Sequence, residues 1–310
     1  MMFAAYTSSE LVSIFTMQGF AGLSLFSVLL LMALGLAIIF GQMGVINMAH
    51  GEFMAAGAYT VYLCSMLVSK YVPSFQPYYF LIAILAAFIV SGCLGLLVEW
   101  GLIRFLYKRP LDTLLATWGL SLILQQTFRV TFGAREVTPT LPDWLMGSFK
   151  PTETIDIPIN GVFVMGLTLF ITGGVLFYTF RTKAGLRMRA TVQNRVMSAA
   201  VGINTKWVDR LTFAIGCGIA GVAGAAFTTI GSTGPDSGSR YIVDTFLVVV
   251  FGGAASLFGT VASAFGIAQA QSISEFFLQG TMGKVATLLA IVVILMIRPQ
   301  GLFASKVRRV

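Results

Sequence analysis

Few residues of this 310-residue chain could do chemistry, and they fall in three places. The first is the run Gly41–Tyr59, where Asn47, the single histidine His50 and Glu52 lie among glycines between two apolar segments. A histidine two residues from a carboxylate could relay a proton, and the same pair could line a polar route through a membrane. A third reading is a helix-connecting turn in which both side chains satisfy backbone groups. Metal binding fits poorly, because no second histidine or nearby thiol can complete a ligand set. The second place is Asp244-Thr245, where an acid enters an apolar run and needs a partner. Arg240, four residues earlier, is the expected partner. The third is a set of amides, Gln125 and Gln126, Gln269 and Gln271, whose expected role is hydrogen bonding between helices. No GxxxxGK[ST], HExxH, CxxC or GxSxG motif is present, so neither a P-loop ATPase nor a metal or nucleophilic hydrolase is expected. Cys64, Cys93 and Cys217 sit far apart in apolar runs and read as packing residues.

The elements that must carry these residues are membrane helices. The chain is 57% hydrophobic and 10% charged, against about 25% charged in a soluble domain. Residues 11–51, 157–180, 211–235 and 245–274 carry no formal charge, and each run can cross a bilayer core, which needs about 20 residues. Nine helices are expected near 20–40, 52–69, 78–103, 112–132, 161–180, 208–231, 242–258, 259–279 and 282–298. The last begins before Lys284, whose stem is expected to snorkel. Gly252-Gly253 and Gly259 leave 245–274 as one long helix or two that meet at a break. No removable signal peptide is read at the N-terminus.

Charge sets the orientation. Of the 20 Lys and Arg residues, 14 lie in 104–110, in 181–210 and from Arg298 onward. Basic loops face the cytoplasm, so these three segments are expected inside. The loop 133–160 carries Glu136, Asp143, Glu153 and Asp156 with four prolines and is expected outside. One all-α transmembrane domain over residues 1–310 follows, with the N-terminus outside and the C-terminus in the cytoplasm. The +8 charge is thus an orientation signal, and no nucleic-acid partner is expected. Within 181–210, residues 187–201 read as a short helix with Val192, Val196, Ala199 and Ala200 on one face, ended by Gly202. Anionic lipid headgroups and a soluble docking partner both suit it.

Several motifs resemble one family. Gly44-Val-Ile-Asn-Met-Ala-His-Gly-Glu-Phe53, Val201-Gly-Ile-Asn204, Leu211-Thr-Phe213, Ala220-Gly-Val-Ala-Gly-Ala225 and Arg298-Pro-Gln-Gly-Leu302 are similar to the signatures of high-affinity branched-chain amino acid ABC transporter permeases. The likeness spans about residues 20–302. Arg109-Pro-Leu-Asp-Thr-Leu-Leu-Ala-Thr-Trp-Gly-Leu-Ser121 and Tyr241-Ile-Val-Asp-Thr-Phe-Leu-Val-Val-Val-Phe-Gly-Gly253 resemble the first permease subunit of urea ABC transporters.

That resemblance implies a bacterial inner-membrane importer subunit without an ATPase site of its own. Its partners would be a second related permease or a second copy, two cytoplasmic ATPases that bind ATP and magnesium, and a periplasmic binding protein. It implies urea, or short amides, as the cargo, moved into the cytoplasm by alternating access. Asn47, His50, Glu52, Gln125, Asp244 and Thr245 are then candidates for the route. Arg189, Gln193, Arg195, Ser198, Ala199, Ala200 and Gly202 are candidates for ATPase coupling. Ser198-Ala-Ala200 departs from the family's usual Glu-Ala-Ala pattern at this place. The alternatives are an importer of branched-chain amino acids, a passive solute channel and a structural scaffold. A branched-chain amino acid is zwitterionic, so it would call for charged partners beside an apolar pocket.

Overall fold

The computed structural model describes residues 8–303, apart from 108, 153–154, 254–255, 279 and 299–300. Nine helices of sixteen or more residues form the bundle among these. They are α1 Ser8–Met43, α2 His50–Tyr71, α3 Tyr79–Gly101, α4 Pro110–Phe132, α5 Ile159–Arg181, α8 Thr205–Phe227, α9 Ser237–Gly252, α10 Leu257–Leu278 and α11 Thr281–Ile297. Two short helices, α6 Lys183–Gln193 and α7 Arg195–Ala200, join α5 to α8. A β-hairpin of β1 Ser148–Thr152 and β2 Ile155–Pro158 precedes α5. Five helices are long and apolar enough to cross a bilayer on their own, namely α1, α2, α3, α5 and α8, and α11 is a shorter apolar helix. The other three carry polar groups that need neighbours, such as Gln125 in α4, Asp244 in α9 and Gln271 in α10.

The expected helices are all found, with three differences. The first helix begins twelve residues before position 20, at Ser8. The sixth expected span ends at Phe227 rather than 231, where the chain turns. Of the two forms left open for 245–274, the two helices that meet at a break are found, because Gly253 adopts φ +89°, a backbone state open to glycine. The expected single helix over 187–201 is broken. Asn194 is extended, and its side chain accepts a hydrogen bond from Met197 N–H, so it starts a new helix. Thr182 caps α6 in the same way through Gly185 N–H. Gly202 ends α7 at φ +87°, as expected.

The two ends of the bundle differ. At one end Tyr107, after α3, lies under the Arg195 guanidinium of α7, and Glu99 near the end of α3 binds Arg210 of α8. We call this the basic end. At the other end Val137 of the 133–158 segment pairs with Thr233 of the α8–α9 turn, beside the hairpin. The charge-based pairing of the loops therefore agrees with the geometry. Lys108, Glu153, Lys306, Arg308 and Arg309, which entered that charge reading, lie outside the described residues.

α8 is the centre of the packing. Its residues from Thr212 to Phe227 are buried apart from Ile215, and it lies against α1, α2 and α3. Small residues permit this: a Cβ on Gly224 would fall 2.0 Å from the Met54 carbonyl oxygen, and one on Gly57 would fall 2.2 Å from that of Gly221. Bundles without a hydrophobic drive between helices use such close backbone contact for cohesion. The outer faces are apolar and exposed, as at Leu81, Leu85 and Ile89 of α3 and Leu169, Phe170 and Phe177 of α5. Surface of this extent on long helices suits lipid.

Candidate functional site

The chain does not pass directly from α1 to α2. After Met43 it turns at Gly44, φ +65°, and runs without helix to Ala49. His50 Nε2 then meets the Met32 carbonyl at 3.1 Å. Met32 lies eleven residues before the end of α1, about 16 Å along its axis. Thus α2 starts inside the bundle rather than at a face. Non-helical backbone at that depth must be satisfied by protein. Thr117 of α4 does this: its Oγ1 accepts from Met48 N–H at 3.1 Å and lies 3.5 Å from the Ile46 carbonyl. The Asn47 side-chain oxygen accepts from Ala49 N–H at 3.1 Å, while its amide nitrogen is buried without a partner.

His50 and Glu52 diverge. Two residues of helix turn the side chains about 200° apart. His50, fully buried, donates from Nε2 to α1, because a carbonyl only accepts. Glu52 faces α4 and α9. Its Oε1 accepts from Ser121 Oγ at 3.0 Å, Gln125 Nε2 at 3.0 Å and Ser239 Oγ at 3.2 Å. Its Oε2 is buried and has no partner. The two side chains share no hydrogen bond, so a direct relay between them has no support in the geometry. Of the expected route residues, the fold brings together Glu52 and Gln125. Ser121 and Ser239 complete the cluster and were not singled out in the sequence. The spacing of Ser121 and Gln125, four apart on one helix face, was the available signal.

Asp244 and Thr245 lie elsewhere. Asp244 is buried and pairs with Lys284 Nζ of α11 at 2.7 Å. The expected partner Arg240 instead faces Glu136 at 3.7 Å. Lys284 therefore turns inward and does not snorkel outward. Thr245 donates to the Tyr241 carbonyl at 2.7 Å within its own helix, which leaves it no role in a route. Gln269 reaches across to the Gly19 carbonyl of α1, whereas Gln271 bonds Glu275 in its own helix.

Lys284, Arg240 and Glu136 border a cleft of about 330 Å³ at the hairpin end, with Ser232, Ser237 and Gln271. A second cavity of about 600 Å³ adjoins it, and the two share Leu25, Phe227 and Tyr241 as walls. Phe20, Val28, Ile157 and Ile230 give that cavity a largely apolar lining.

At the basic end, the expected coupling residues divide. Gln193, Ala199, Ala200 and Gly202 face outward. Ser198 is buried, and Arg189 lies over the Phe180 ring. Arg195 turns inward and pairs with Asp209. The outward surface is more apolar than the sequence suggested. Val196 is 82% exposed, and Leu186, Met197, Val201 and Trp207 are also exposed around it.

Comparison with known proteins agrees with this architecture. The family described as "Branched-chain amino acid transport system / permease component" matches residues 19–297. The chain is 27% identical over 305 residues to the high-affinity branched-chain amino acid transport system permease protein LivH of Salmonella typhimurium, covering 95% of this chain and 97% of that one. It is 26% identical over 291 residues to the corresponding protein BraD of Pseudomonas aeruginosa, covering 91% and 93%. With the probable branched-chain amino acid transport permease LivH of Methanocaldococcus jannaschii it shares 23% identity over 297 residues, covering 89% and 88%. No solved structure matches the chain significantly. By the extent of the family match and its bundle of apolar helices, the chain is an integral membrane protein that belongs to the branched-chain amino acid ABC transporter permease family.

Proposed function

We propose that this chain is the membrane subunit of an ATP-driven importer that carries amino acids with apolar side chains by alternating access. The observation that carries the substrate is the paired cavity at the hairpin end. A zwitterion needs a cation for its carboxylate and an anion for its ammonium, and the polar cleft is bordered by the long Arg240–Glu136 pair, which would open to take both groups, and by Lys284, which Asp244 holds. A branched side chain needs apolar walls, and the adjoining cavity offers them. The relatives' printed names carry the same substrate.

The hairpin end would then face outward to a binding protein, and the basic end, with the C-terminus, would face the cytoplasm of an inner membrane. Positive charge at the basic end supports that orientation. The exposed apolar face of α6 and α7 would dock an ATPase, since it sits at the basic end, off the long lipid-facing helices. The working unit would pair this chain with a second permease, related or identical, and with two ATPases that bind ATP and magnesium and hydrolyse the ATP. Asn47, Glu52, Gln125, Ser121 and Ser239 would line the route inward from the cleft. Substrate must bind the two states unequally for the cycle to run.

Urea is the second reading. The Glu52 cluster contains no cation, and the unpaired Oε2 could accept from a small neutral amide. Proteoliposomes with partner ATPases and binding protein separate the two. ATP-dependent leucine uptake without urea uptake is expected, and the converse would reassign the substrate to urea. Solute flux without ATP would overturn the importer reading.

A further inference from the structure

Two carboxylates are buried at the basic end, where neither the route nor the apolar docking face uses them. Glu99, at the end of α3, is 1% exposed, and Asp209, in the first turn and a half of α8, is fully buried. Each is held by an arginine. Arg210 Nε donates to Glu99 Oε2 at 3.2 Å, and the Arg195 guanidinium pairs with Asp209 Oδ2. Tyr107, from the loop between α3 and α4, joins the two pairs. Its hydroxyl donates to Glu99 Oε1 at 2.5 Å, and its ring lies 5.5 Å beneath the Arg195 guanidinium. Burial raises the Tyr107 pKa, so the hydroxyl stays protonated and keeps donating. Arg195 is the first residue of α7. The network therefore ties the start of α7 to the ends of α3 and α8.

Burying carboxylates is costly even when they are paired, and well-packed apolar residues often serve stability as well. Such a network is better suited to fixing a register between elements than to adding stability. What it would register can be followed along α8. Gly221 and Gly224 lie twelve and fifteen residues beyond Asp209, about 18 to 22 Å along the axis. There, a Cβ on Gly221 would fall 2.5 Å from the Ala87 carbonyl oxygen of α3, and one on Gly224 would meet the Met54 carbonyl of α2. Contacts this close do not slide freely. Met54 is two residues from Glu52. A displacement of α7 that pulls on Asp209 would reach the Glu52 cluster through one continuous helix.

We infer that Arg195–Asp209 and Tyr107–Glu99–Arg210 form the link that passes movement of the α6–α7 docking segment to the Glu52 cluster, with Asp209 and Glu99 as positioning residues. The inference rests on the docking reading proposed above. Asp209 Oδ1 is buried and unpaired, so the Arg195 pair can add a second bond when α7 shifts.

The test uses the complete complex with its ATPases and binding protein in proteoliposomes. Imported radiolabelled leucine is counted per ATP hydrolysed, with urea run in parallel. Asp209→Asn and Glu99→Gln keep shape and remove charge. Each is expected to leave the ATPases bound and hydrolysing while solute imported per ATP falls roughly tenfold. Arg195→Lys, at a half-exposed position, keeps charge but loses the planar fork, so an intermediate loss is expected. It also serves as the readout should either carboxylate variant fail to assemble. An unchanged ratio of solute to ATP in an assembled variant overturns the link. Loss of the ATPases from Asp209→Asn also overturns it, because the pair would then only shape the docking face. Val196→Asp tests the docking reading separately. If the ATPases stay bound to that variant, docking fails whatever the network does.

Discussion

Lys284 of α11 reaches Asp244 of α9 at 2.7 Å, across forty residues of chain and between helices joined only through α10. Asp244 is 3% exposed, and the Lys284 side chain is 32% exposed. Removal of one partner leaves the other charge uncompensated in a poorly solvated place. Lys284→Met is therefore expected to destabilise the protein by about 3 kcal/mol, the low end for buried pairs because Lys284 keeps some water. The double variant Asp244→Asn with Lys284→Met should recover most of that loss. Thermal unfolding in detergent, followed by size exclusion, measures both. A double variant no more stable than Lys284→Met would remove the pair as the cause.

Glu52 and His50 are two residues apart and should respond differently. Glu52→Gln keeps the volume but replaces an acceptor that serves three donors. Uptake per assembled complex is expected to fall about tenfold or more, with thermal stability changed by no more than about 1 kcal/mol. His50→Ala removes the bond to Met32 and leaves a hole between α1 and α2. That variant should lose about 1–3 kcal/mol of stability. Its uptake per folded molecule should stay near the parent value. Equal uptake losses in both variants would mean that the α2 start acts as one structural unit.

Much of this arrangement was legible before the fold was known, and the rest was not, for physical reasons. Charge-free runs located the long helices, because a bilayer admits few other solutions. Glu52 and Gln125 stood out because polar groups are rare in such runs. The α6–α7 break was hidden: Asn194 has helical neighbours and no Gly or Pro beside it, and it is its extended backbone, with a side-chain bond to Met197 N–H that starts α7, that divides the two helices. The Asp244 partner was misassigned because Arg240, one helical turn away, looked sufficient. Arg240 instead faces Glu136, which is remote in sequence. Pairings of that range depend on helix packing, which composition does not encode.

The glycine contacts of α8 make a graded prediction. A Cβ at Gly224 would sit 2.0 Å from backbone, which cannot yield cheaply, so Gly224→Ala should force α2 and α8 apart. A loss of about 2–3 kcal/mol is expected, in the range of overpacked sites. Gly119→Ala in α4 meets nothing within 4 Å, so it should be neutral or gain up to about 1 kcal/mol from helix propensity. Thermal stability of the two purified variants, compared side by side, checks this. A similar loss in both would place the sensitivity in the helices themselves rather than in the α2–α8 contact.

The outward face of α7 tests the docking reading without touching the core. Val196 and Met197 are exposed at 82% and 61%, and a charge there meets water, not a core. Val196→Asp and Met197→Asp should each change stability by no more than about 0.5 kcal/mol, as surface substitutions do. Both are expected to lose co-purification of the ATPases, because an apolar contact would then bury an unpaired carboxylate. Gly202 differs in kind. It holds φ +87° with nothing within 4 Å, so Gly202→Val strains the backbone without a clash. A cost of about 1–2 kcal/mol is expected there, with α7 displaced rather than unfolded. ATPases should remain partly bound to Gly202→Val while uptake per ATP falls. Full binding together with a normal uptake ratio would show that the position of α7 does not matter for coupling.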